Sequence, residues 1–260
     1  MAITLIESML EVARLCGIVY EGVSTGGSTK TLVDSQNIFK PEEYMNGTIW
    51  ILSGTYDGAC KEIIQSAENT ITWNAALAGA IVSGVEYALA TRKFSRQQLK
   101  QAVNWALRRI EIPAKDDSLA VSNADEYDLP EGVSNVKNIY VATGAGNPYG
   151  WLENNNWKEI AGKIVFFYGR QPSDTGKAIR IAYMKKHGAL AEDGELDSQI
   201  NEDLLFWMAA QYLWRQTIGT KGKDDPEAYD FFNEASQNVL NEAASSKTIR
   251  IKKSTGHTGF

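Results

Sequence analysis

Three short runs carry residue types that do chemistry in other settings. Gly22-Val23-Ser24-Thr25-Gly26 matches Gly-x-Ser-x-Gly, where a serine on a sharp strand-to-helix turn exposes a nucleophilic hydroxyl; His187 would have to be its base. Here a helical pattern precedes the run and a strand pattern follows it, the reverse of that context, so the run reads as a Gly/Ser loop. Gly26-Gly27-Ser28-Thr29-Lys30-Thr31 ends in a Lys-Thr pair, but a phosphate loop places glycine directly before the lysine and a strand before the loop. Gly144-Ala145-Gly146 lacks the third glycine and opens no helix, so it carries no dinucleotide signal.

Acid-base or metal chemistry would have to rest on carboxylates, because the histidines number two, His187 and His257. Asp116-Asp117, Asp125-Glu126 and Asp224-Asp225 read as turns and helix caps on a solvated face. Cys16 and Cys60 stand alone, which excludes a zinc knuckle or a Cys-x-x-Cys centre and predicts buried thiols. Tyr149, Trp151 and Trp157 lie in a Gly- and Asn-rich stretch where they could stack on sugars, although packing and subunit contact use aromatics equally well. Asn46-Gly47-Thr48 is a glycosylation sequon without a secretory signal to make use of it. No catalytic residue, cofactor or metal is expected, and hence no enzyme.

Helical spacing occurs in four places. Thr4 and Glu7 form a capping box before Ile6, Met9, Leu10, Ala13 and Cys16; Ser95 and Gln98 form a second before Leu99, Ala102, Val103, Ala106, Leu107 and Ile110, with Pro113 closing the helix. Asp197 or Ser198 is expected to cap a third helix running to about Ile218, and Asp225-Pro226 to open a fourth with Ala228, Phe231, Phe232, Ala235 and Val239 on one face. Between them lie β-rich runs: Thr48–Leu52, Ala59–Gln65, Thr70–Trp73 and Glu86–Leu89, then Leu119–Ser122, Val136–Ala142, Lys163–Tyr168 and Ala178–Met184. The order favours α+β: a helical bundle of about four main helices (1–27, 95–113, 197–246) with an inserted antiparallel β-sandwich or barrel-like region (28–94, 114–196).

The composition is that of an ordinary globular chain: 260 residues, 43% hydrophobic and 22% charged. The longest strongly apolar stretch, Leu204–Ala210, is far short of the roughly 20 residues a membrane span requires. Charge is unevenly spread. Residues 247–260 hold Lys247, Arg250, Lys252 and Lys253 and no acid, so the rest of the chain sets 22 basic groups against 32 acidic ones, a net −10. An acidic body does not wrap nucleic acid, whereas an extended basic tail with alternating Ile249 and Ile251 suits addition to a sheet edge. The third helix is apolar almost all round and must be enclosed on several sides; Leu205, Phe206, Tyr212 and Trp214 are its candidate subunit-interface residues.

The layout resembles the head-to-tail adaptor (connector, or head-completion) proteins of tailed bacteriophages. The resemblance is carried by the capped first helix leading to Val23-Ser24-Thr25-Gly26, by Thr31-Leu32-Val33-Asp34-Ser35 and by Gly47-Thr48-Ile49-Trp50-Ile51-Leu52. It continues through Glu126-Tyr127-Asp128-Leu129-Pro130, Val136-Lys137-Asn138-Ile139-Tyr140 and Gly176-Lys177-Ala178-Ile179-Arg180-Ile181-Ala182-Tyr183. It implies a virion protein assembled in the bacterial cytoplasm as a ring, typically a dodecamer, under the portal protein. Such a ring meets a tail tube or nozzle protein, and double-stranded DNA passes through its bore. It also implies a C-terminal segment that docks on the portal, here Lys247, Ile249, Arg250, Ile251, Lys252, Lys253 and Phe260. The chain is large for such an adaptor. The alternatives are a glycan-binding or glycan-cleaving tail protein built on Trp151 and Trp157, or another tail part such as a tube, terminator or decoration protein.

Overall fold

The computed structural model describes residues 3–122, 124–144, 150–173, 175–221, 225–245 and 250–251. In chain order the elements begin with α1 (Leu5–Leu15), β1 (Val19–Val23), β2 (Gly26–Gly27), β3 (Thr31–Val33), β4 (Thr48–Ile51), β5 (Cys60–Ala67), β6 (Thr70–Trp73), β7 (Glu86–Ala90) and α2 (Arg96–Leu107). They continue with β8 (Ile110–Ala120), β9 (Glu126–Asp128), β10 (Val136–Ala142), β11 (Trp151–Asn154), β12 (Trp157–Ile160), β13 (Lys163–Phe166) and β14 (Ala178–Lys186). The chain closes with α3 (Glu202–Lys221), α4 (Pro226–Ser245) and β15 (Arg250–Ile251).

These elements do not form a helical bundle carrying a β insertion. The chain is predominantly antiparallel β, in sheets of seven, five and three strands, with four α-helices. It divides into two compact units, one of Met1–Arg108 with Gly188–Lys247 and one of Arg109–His187 with Thr248–Phe260. The first β block therefore shares a unit with the helices, and the separate insertion is the second block. Periodicity reveals which face of an element is apolar, but not which partner covers it.

In the first unit the seven strands run β1-β7-β4-β5-β6-β3-β2. The edge strands β1 and β2 are consecutive in the chain and separated by Ser24 and Thr25 alone, and three Cα steps span at most roughly 11 Å. The sheet therefore curls until its edges meet. Leu32, Ile49, Ile51, Ile63, Ile71, Trp73, Tyr87 and Leu89, drawn from five strands, fill the interior as one cluster. Two polar groups are buried with them: the Tyr87 hydroxyl donates to Asp34 Oδ2 at 2.7 Å, and Asp34 also accepts from Asn37 Nδ2 (2.6 Å) and the Gln36 amide (3.0 Å). Gly22, opposite Tyr87 in the β1–β7 ladder, leaves room for that ring; a Cβ there would stand 2.6 Å from the tyrosine oxygen.

Both capping boxes form. The Glu7 amide donates to Thr4 Oγ1 and the Gln98 amide to Ser95 Oγ, with the reciprocal side-chain bonds also made. The third helix starts later than its sequence suggests, at Glu202, because Asn201 caps it through a 3.0 Å bond from the Leu204 amide, while Asp197 closes a turn with Gln199. Asp225 caps α4 through the Ala228 amide. Pro113 does not end a helix: α2 stops at Leu107, and Pro113 lies within β8 opposite Met184. A proline is tolerated there because, among the described residues, the outer side of β8 is paired by β15 at Ile110 and Glu111 and not at Pro113.

In the second unit the order is β11-β10-β14-β8-β15 in one sheet and β12-β13-β9 in the other. Ile139, Ile179 and Ile181 of the larger sheet share a core with Tyr127, Ile164 and Phe166 of the smaller, which makes a two-layer sandwich.

Candidate functional site

The outer edge of β8 and the strand that meets it are the candidate site. β14 pairs β8 from Glu111 to Ala120 on one side. On the other, β15 adds antiparallel, with Arg250 opposite Glu111 and Ile251 opposite Ile110. Main-chain bonding explains why so short and polar a strand can settle on an edge; the receiving strand carries Glu111, Lys115, Asp116 and Asp117, of which Glu111 stands opposite Arg250. Of the docking residues expected from sequence, Arg250 and Ile251 lie in this strand; Lys247, Ile249, Lys252, Lys253 and Phe260 lie outside the described residues.

The expected subunit face of α3 is covered by the chain itself. Leu205, Phe206 and Trp214 are buried within their own unit, and α3 packs against α1, α2 and α4. Trp214 stacks on Phe231 with centroids 4.8 Å apart, meets Phe94 edge-on at 5.3 Å and lies under Lys93 Nζ at 4.2 Å. Tyr212 is half-buried against Trp105. Leu204 and Met208 belong to the core, while Trp207 is only half-buried.

Ser24 is a latch. It is buried, donates its hydroxyl to the Val82 carbonyl at 2.8 Å and accepts from the Val85 amide at 3.2 Å, which ties the β1–β2 joint to the loop leading into β7. Members of the carboxylate pairs are likewise engaged, while Asp224 lies outside the described residues. Asp116 accepts from the amide and hydroxyl of Ser118; Asp117 binds both Nε and Nη2 of Arg180; Glu126 meets Lys163. The bonded Arg180 guanidinium holds the Asp117 carboxyl below its ordinary range. Among the described residues no group of three His, Cys, Asp or Glu side chains could hold a metal ion. Both cysteines are free and buried; burial pushes the Cys16 thiol up to about 12 and the Cys60 thiol up to about 11.

The two tryptophans lie in different sheets, and Tyr149 lies outside the described residues. Trp151 lies in β11 with the Arg180 guanidinium 3.9 Å from its ring centre, and Trp157, in β12 of the other sheet, packs against the sandwich core. Two surface features escaped the sequence reading. One is a turn, Phe167 to Arg170, closed by a 2.8 Å bond between its ends and with Gly169 left-handed, that holds Tyr168 98% exposed. The other is a pair of clefts of about 540 and 340 Å³ that share Arg92 and Lys93. Lys40 joins these two cations, but Glu42 and Glu43 line the same wall and Glu227 sits 3.6 Å from Lys93, so the cleft is charge-balanced and does not select an anion. Adjacent basic residues between a strand and a capping box were the available signal. Among the described residues no helix is long and apolar enough to cross a membrane.

Neither a scan of protein-family models nor a search of curated proteins finds a match to this chain.

Proposed function

We propose that the protein is a structural subunit of a tailed-bacteriophage virion: one copy of the head-to-tail adaptor ring, typically twelve copies, that joins the portal to the tail tube or nozzle around the DNA channel. It is assembled in the host cytoplasm and catalyses nothing. The observation that carries this reading is the separation of an acidic body from a basic C-terminal segment whose Arg250 and Ile251 enter a sheet edge as β15. An acidic wall lets a phosphate backbone pass without gripping it, and a basic peptide with main-chain donors and acceptors fits a groove or edge on a partner. The residues beyond β15, with Lys252, Lys253 and Phe260, are the part offered to the portal.

The test is truncation after Ser245. The shortened chain is expected to fold and to fail to attach to DNA-filled heads lacking the native protein. Unimpaired attachment overturns the docking role, and imaging of labelled virions that finds the chain along the tube or on the capsid overturns the position in the neck.

A further inference from the structure

We infer that Asn46-Gly47, at the entry to β4, is a latent modification site. The folded turn keeps Asn46 from losing its side-chain amide, and opening of that turn permits a change that the fold cannot reverse.

The reaction is spontaneous. The deprotonated Gly47 amide nitrogen attacks the Asn46 side-chain carbonyl carbon, forming a C–N bond; the bond to the side-chain nitrogen breaks, and that nitrogen leaves as ammonia with the proton. Water then opens the cyclic imide at either carbonyl, giving aspartate or isoaspartate. Glycine is the follower that hinders the attacking nitrogen least, since it has no Cβ. Asn46-Gly47 is the single Asn-Gly pair in the chain.

The fold asks for both residues. Asn46 is exposed and has a φ of 63°, a left-handed conformation that asparagine adopts more readily than most residues. Gly47 is buried, and a Cβ there would collide with the carbonyl oxygen of Ala90 in β7. Main-chain bonds hold the pair on both sides. The Gly47 amide donates to the Tyr44 carbonyl at 2.8 Å, the Asn46 amide to the Ile63 carbonyl at 2.8 Å, and the Ile63 amide to the Gly47 carbonyl at 3.0 Å.

These restraints oppose ring closure twice. The attacking nitrogen has its hydrogen engaged by Tyr44, which resists the deprotonation that attack requires. A left-handed residue in such a turn also has ψ of about 0 to +60°, which sets the next nitrogen far from the eclipsed alignment with Cβ that the imide ring imposes. Once formed, isoaspartate does not fit. Its main chain runs through the side-chain carbon and is one atom longer, so residues 46 and 47 no longer meet Ile63 from both sides. The misfit falls on the start of a core strand, because Thr48, Ile49, Trp50 and Ile51 are all buried. Aspartate keeps the backbone and tolerates the same φ.

The test holds the full chain in mildly alkaline buffer, native and in urea, and follows Asn46 by peptide mass mapping. Conversion is expected to be at least about tenfold slower in the native protein, in proportion to how seldom the turn opens. Equal rates overturn the protection. Chains partly converted in urea are then returned to buffer and separated into folded and unfolded fractions, with the unconverted chains of the same sample as reference. Isoaspartate is expected in the unfolded fraction alone, and the Asn46→Asp variant is expected to fold as the wild type does. Isoaspartate in the folded fraction at its proportion in the mixture overturns the irreversibility. Failure of Asn46→Asp to fold assigns the loss to charge instead of backbone and overturns it as well.

Discussion

Asp34 is a carboxylate enclosed by the curled sheet and kept charged. Burial works against the charge, but the bonds from Tyr87, Asn37 and the Gln36 amide outweigh it and hold the carboxyl below its usual range; burial and the adjacent negative charge push the Tyr87 hydroxyl well above its own. A carboxyl whose pKa is lower in the folded than in the unfolded chain stabilises fully above the unfolded value, near 4, and loses that contribution as pH falls through the folded value. Tyr87→Phe removes one donor from a charged acceptor and should cost about 1.5–3 kcal/mol at neutral pH. The gap from wild type in urea unfolding should shrink in acid; one that stays constant down to about pH 3 would refute the pairing. Gly22→Ala should displace the same ring, so its cost and that of Tyr87→Phe should not add. None of this was legible from sequence, because Asp34 and Tyr87 are 53 positions apart and meet only when the sheet closes. The setting of the motif serine was misread from sequence: the run begins in β1, so a strand and not a helix directly precedes Ser24.

Elements with a local signature were read correctly. The two capping boxes depend on side chains three residues apart, and Thr70–Trp73 and Val136–Ala142 alternate or run apolar within their own length. Ser95→Ala should therefore cost about 1 kcal/mol, seen as a lower urea midpoint with unchanged slope. β1, Val-Tyr-Glu-Gly-Val, has one and was nevertheless taken into the helical segment 1–27, whereas four other missed elements have none. β2 is a Gly-Gly pair, β9 has three residues, and β11 and β12 sit among asparagines that read as loop. For α3 the apolar circumference correctly required cover on several sides, but three neighbouring helices of the same unit supply it. Trp214→Ala should thus cost about 3–5 kcal/mol, and Trp207→Ala distinctly less because that ring is only half-buried. Equal losses in a denaturant series would contradict the packing.

At the scale of the molecule, the two units have separate cores, one inside the curled sheet and one between the layers of the sandwich. Calorimetry should resolve two transitions. Ile181→Ala, at a fully buried sandwich position, should lower one of them by the equivalent of about 2–5 kcal/mol and leave the other in place. A single transition that moves as a whole would show that the units unfold together. The division between them was illegible in the sequence because the helices around the sandwich segment are separated by it in the chain yet pack with a β block that precedes it.

That interleaving sets the order in which the newborn chain can mature. The sandwich strands from β8 to β14 leave the ribosome as one continuous stretch, whereas α1 and α2 must wait for α3 and α4, more than ninety residues after α2 ends. Neither unit is closed until the end of the chain: the last helices of the first follow the sandwich strands, and β15 is added to the sandwich after them. Until then Leu5, Met9, Leu99, Val103 and Leu107, all destined for the core, lack their final cover, an interval in which a growing chain is exposed to chaperones and to aggregation.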